Sequence, residues 1–87
     1  MTVRYTLQLH ADSGSWAPPD GRSVQFAASR RDALEIVRDW SDEVDRYDDR
    51  RAASALVWIG RVRDVTDQYP DAEITVGPRG GLRWGPC

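Results

Sequence analysis

The sequence predicts an α+β protein, a single domain over residues 1–87 in the order ββαβββ, with one helix packed on a mixed or antiparallel sheet. Two observations carry that prediction. Helical periodicity is sustained in one segment only, Ser29 to Tyr47, and strand patterns flank it on both sides. At 87 residues the chain supports one core, above the size at which disulfides or metals become close to obligatory. A hydrophobic fraction of 40% with 30% charged residues is the composition of a globular protein and not of a disordered one.

The first strand is read from Thr2 to His10, where Val3, Tyr5, Leu7 and Leu9 alternate with Arg4, Thr6, Gln8 and His10. Residues 11–22 concentrate turn formers (Asp12, Ser13, Gly14, Pro18, Pro19, Asp20 and Gly21), so they make a long hairpin loop with Trp16 near its tip. Alternation resumes at Val24, Phe26 and Ala28, giving a second strand antiparallel to the first. Ser29, Arg30, Arg31 and Asp32 resemble a capping box, with Ser29 placed to bond the third backbone N–H. The helix that follows carries Ala33, Val37, Trp40, Val44 and Tyr47 on one face, widened by Leu34 and Ile36, and is expected to end near Tyr47.

Leu56, Val57, Trp58 and Ile59 form an apolar run suited to a strand covered on both faces or at the centre of a sheet, read as continuing through Arg63. Asp64 to Asp71 breaks it. Ile74 and Val76 give a fourth strand, Gly77 to Gly81 a turn, and Leu82 with Trp84 a fifth. The expected shared core is Val3, Leu7, Phe26, Val37, Trp40, Val44, Trp58 and Ile74.

This element order resembles the β-grasp arrangement of ubiquitin-like proteins, which implies that the first and third strands lie side by side in parallel. The resemblance is one of order alone. The chain reads Trp84, Gly85, Pro86, Cys87 at its end and carries no diglycine tail, so conjugation is not implied. A second resemblance rests on sequence: Leu56-Val57-Trp58-Ile59-Gly60-Arg61-Val62-Arg63-Asp64-Val65-Thr66-Asp67-Gln68-Tyr69-Pro70-Asp71, then Gly77-Pro78-Arg79-Gly80-Gly81 and Arg83-Trp84. This stretch is similar to small orphan proteins of actinobacteriophages and their hosts. It implies a bacterial setting and assigns no activity and no site residue.

The formal charge of −2 argues against a generally basic nucleic-acid binder. All twelve basic residues are Arg, with no Lys and no Asn, which reads first as codon bias. One Cys, Cys87, excludes an internal disulfide and a cysteine-rich zinc site. The N-terminus enters strand alternation directly, which predicts no secretory leader and a cytoplasmic location. No apolar run reaches the roughly 20 residues of a membrane span.

Catalytic candidates are few. His10 stands on the polar face of the first strand, with only the turn residues Ser13 and Ser15 near it in sequence, and is read as an exposed edge histidine. No catalytic residue, cofactor or metal ligand is expected, since the sequence contains no Asp-rich calcium loop and no phosphate loop. Glu35, Asp39, Asp42, Glu43 and Asp45 line the outer helix face. Asp42 and Arg46 form a favourable i, i+4 pair, whereas Asp39 with Glu43 and Asp45 with Asp49 repel.

A basic partner would relieve that repulsion. The expected function is therefore a non-enzymatic protein-interaction module, with Asp39, Asp42, Glu43, Asp45, Trp16 and Trp84 as the binding residues and a partner of basic surface. The alternatives are a nucleic-acid binder using Arg61, Arg63, Arg79, Arg83 and Trp84, or an acidic mimic of DNA phosphate. Bare strand edges also lead us to expect a homodimer.

Overall fold

A computed structural model describes residues 2–11, 23–46, 53–65 and 67–86; Trp16, Tyr47, Asp49 and Cys87 lie outside the described residues. The elements are β1 (Tyr5–Ala11), β2 (Val24–Ala27), α1 (Arg30–Asp45), β3 (Ala53–Ile59), β4 (Ala72–Val76) and β5 (Leu82–Pro86). One helix packs on a single five-stranded sheet of order β2-β1-β3-β4-β5, and every neighbouring pair is antiparallel. β1 and β3 are neighbours, but the parallel pairing that the β-grasp resemblance implies is not what forms. A single helix returns the chain to the level at which β2 began, so β3 runs with β2 and against the strand between them. At 16 residues α1 is about 24 Å long, enough to span the sheet along its strands.

The helix starts where the sequence places it. Ser29 is the N-cap, with extended backbone and its Oγ accepting from the Asp32 N–H at 3.1 Å. It stops at Asp45 with Arg46 as C-cap, two residues before Tyr47, where the sequence reading places its end. Ala33, Val37, Trp40 and Val44 are buried, joined by Ser41, whose hydroxyl donates to the Arg38 carbonyl at 2.8 Å and so needs no other partner. Burying Val37, Trp40 and Val44 contributes roughly 1.5–3 kcal/mol each. The Trp40 indole N–H, which burial would otherwise strand, donates to the His10 carbonyl at 3.1 Å and ties the helix to β1.

Register assigns each strand residue to a face. Tyr5, Leu7, Leu9, Ala27, Ala53, Ala55, Val57, Ala72, Ile74 and Val76 stand on the helix side. Phe26 does not join them. The pairing Tyr5 to Ala27 sets Ala27 beneath the helix and Phe26 on the far side, in one row with Thr6 and Trp58, and Phe26 is more than a third exposed. The predicted alternation of β2 was one residue out of phase, because the small Ala27 rather than Phe26 fits under the start of the helix.

Trp58 is buried but in a second, smaller core. β3 ends at Ile59, not at Arg63, where Gly60 adopts φ +87°, a conformation that favours glycine. The β3–β4 segment then folds back across the far face. Val62 is buried there, the Thr6 Oγ1 donates to the Gly60 carbonyl at 2.7 Å and accepts from the Val62 N–H at 2.9 Å, and the Trp58 indole N–H donates to the Gln68 carbonyl at 3.0 Å. Asp71 closes the segment by accepting from the Ile59 N–H at 2.8 Å. A sheet that would otherwise have one wet face thus has part of its second face covered by its own loop.

Candidate functional site

The charged surface is laid out by the helix and by the register. Asp39, Asp42 and Asp45 are exposed and Glu43 is half-buried, all in the second half of α1. No basic residue stands in the last helical turn, so these carboxylates sit toward the negative pole of the helix dipole. In the first half of the helix, Arg31 and Glu35 form an i, i+4 ion pair at 3.6 Å. Arg30, Arg31 and Arg38 lie on the β5 side with Leu34, whereas Ile36, Asp39 and Glu43 turn toward β1 and β2. One flank is therefore mainly basic, with Glu35 among its arginines, and the other acidic.

On the acidic flank the side chains make a concavity. A hollow of about 200 Å³ is lined by Leu9, Gln25, Ile36, Asp39, Trp40 and Glu43. Leu9 and Ile36 supply apolar wall, and the two carboxylates stand one helical turn apart above it. Such a lining can take a long cationic side chain, its methylene stem on the apolar wall and its head between the carboxylates.

The basic residues are not brought onto one surface. Arg61 and Arg63 lie in the β3–β4 segment at the end of the sheet where the helix begins, and Arg79 lies in the β4–β5 turn at the opposite end. The Arg61 guanidinium stacks 4.7 Å from the centre of the Phe26 ring. Arg83 and Trp84 point to opposite faces of β5. Trp84 is partly buried on the helix face, edge-on to Tyr5 with ring centres 5.2 Å apart, and Arg30 lies 4.7 Å over it. It closes one end of the core, so as a contact residue it presents an edge and not a free ring.

Two further features escaped sequence reasoning. Ser54, across from His10 in the β1–β3 register, sets its Oγ 2.8 Å from the His10 Nε2 and 3.1 Å from Nδ1, a neighbour 44 residues away that no local pattern signals. His10 is half-buried on an inner strand and not at an exposed edge, and Ser54 is buried within the sheet. A mainly apolar hollow of about 330 Å³ is lined by Tyr5, Val57, Ala72 and Trp84 with Arg30 and Asp71, and Ile59 stands 71% exposed beside them. The only signal for it was that Ile59 closes the apolar run just before the glycine that ends the strand.

Among the described residues no three His, Cys, Asp or Glu side chains converge as metal ligands, and no helix is long and apolar enough to cross a membrane. No protein-family model matches the chain, and no match is found among curated proteins or solved structures.

Proposed function

We propose that the protein is a non-enzymatic interaction module that recognises a basic side chain of a protein partner through the second half of α1. The observation that carries this reading is the hollow in which Asp39 and Glu43 stand over Leu9 and Ile36, flanked outward by Asp42 and Asp45. A carboxylate pair on an apolar wall matches the two ends of an Arg or Lys side chain, and the surrounding acidic field speeds encounter with a basic surface. The sequence resemblance to small phage and host proteins supports a setting in which a phage-encoded chain modulates a host protein. The placement of Arg61 and Arg63 at the other end of the sheet from Arg79 weighs against the nucleic-acid alternative, because those three residues do not share one surface.

The test is capture from a bacterial lysate with wild-type protein and with a triple variant Asp39→Asn, Asp42→Asn, Asp45→Asn, followed by titration of the captured partner. The triple variant stays folded and loses most of its affinity through a slower on-rate, while Arg63→Gln with Arg79→Gln binds as wild type. A partner retained by the triple variant and lost by the Arg pair would overturn the reading. Direct titration with DNA across a salt series then decides whether phosphate binding replaces it.

A further inference from the structure

The outer edge of β5 is a sheet edge with a defined pattern of donors and acceptors. The Gly77 N–H donates to the Gly81 carbonyl at 2.7 Å, which makes 77 and 81 a hydrogen-bonded pair. Alternation then turns the main-chain groups of Arg83 and Gly85 inward, toward Thr75 and Glu73. Leu82, Trp84 and Pro86 turn theirs outward. Among the described residues no strand pairs beyond β5. The free edge therefore offers donors at Leu82 and Trp84 and acceptors at Leu82, Trp84 and Pro86, since Pro86 has no N–H.

The geometry points to this edge as the interface with a second copy of the same chain, paired antiparallel about a two-fold axis through Trp84. Centred there, each Trp84 N–H meets the other Trp84 carbonyl, and each Leu82 N–H meets the other Pro86 carbonyl. The proline's missing donor falls at the end of the ladder. A register centred on Arg83 makes as many backbone bonds, but it sets Arg83 directly against its own copy, and like charges opposite one another destabilise a strand pair.

Charge selects the Trp84 register. It places Arg83 opposite Gly85 of the other copy, and Gly85 in turn pairs with Glu73. Gly85 leaves open space where a side chain would stand, with nothing within 4 Å of an added Cβ. The result is a notch of about 300 Å³ lined by Glu73, Thr75, Gly85 and Pro86, with the copy's own Arg83 at its side. An Arg83 side chain entering from the second copy crosses the glycine and reaches Glu73, twice per dimer by symmetry. Neither Arg83 nor Glu73 makes an ion pair among the described residues, so both are available for that contact. The competing edge at β2 is shorter, with only Val24 and Phe26 turning outward, and Phe26 already holds Arg61.

Sedimentation equilibrium on the whole chain tests this, with circular dichroism reporting that each variant is folded. Wild type is expected to dimerise. Gly85→Val, whose Cβ meets nothing within 4 Å in one copy, narrows the notch and weakens the dimer by about tenfold or more. Arg83→Glu and Glu73→Arg each weaken it by about tenfold, and the two together restore it. Leu82→Pro removes an edge donor and abolishes pairing. A wild-type monomer at high micromolar concentration overturns the proposal, as does a dimer indifferent to Leu82→Pro and Gly85→Val. A charge-swapped double variant no tighter than either single variant overturns the Arg83 to Glu73 contact and with it the register.

Discussion

Thr6 shows how much a single hydroxyl can hold. Its Oγ1 is fully buried, donates to Gly60 and accepts from Val62, so it fixes both the residue that ends β3 and the residue that starts the return across the sheet. Thr6→Val keeps the shape and strands the buried Val62 N–H together with the part-buried Gly60 carbonyl. We expect a loss of about 1–3 kcal/mol in urea unfolding, the cost of leaving such groups unsatisfied. Trp40→Ala is expected to cost about 3–5 kcal/mol on the same measurement, because it opens the main core and removes the bond to the His10 carbonyl. A Trp40 loss below about 1 kcal/mol would mean that the helical phase is wrong. His10 and Ser54 make the limit of sequence reading plain at this scale: a cross-strand neighbour 44 positions away has no local signature.

At the scale of elements, the capped start of α1, its buried stripe and all five strands were legible, because period and turn chemistry are local properties. What failed was phase and extent. β2 has four residues, too few for alternation to say whether Phe26 or Ala27 faces inward, and only its pairing with Tyr5 decides. The apolar run from Leu56 to Ile59 is the middle strand of the sheet, with Val57 and Trp58 buried on opposite faces and Ile59 exposed, yet the cover over Trp58 is a loop, which no pattern in the strand itself can announce. The acidic groove was half legible: the carboxylates were evident, while Leu9 and Gln25, which complete the hollow, come from strands whose position over the helix is a tertiary fact.

The same helix yields a prediction that separates stability from binding. Asp39 lies four residues from both Glu35 and Glu43, so Asp39→Lys turns two repulsive pairs into attractive ones. Thermal or denaturant unfolding should show a gain of roughly 0.5–1 kcal/mol. Capture of the basic partner should be lost with the same change. A variant that is less stable than wild type would place Asp39 in a contact that the exposed surface does not show.

For the molecule as a whole, the strand order sets when it can exist. β1 lies between β2 and β3, and the closure of Thr6 onto Gly60 joins residues 54 apart. A ribosome delivers β1, β2 and the helix long before it delivers β3, so during synthesis the first half of the protein waits with one side of β1 unpaired and its apolar face without a floor. Nascent chains halted before Ala53 should be cleaved by protease as readily as unfolded polypeptide, and resistance should appear only once β3 and β4 have cleared the exit tunnel.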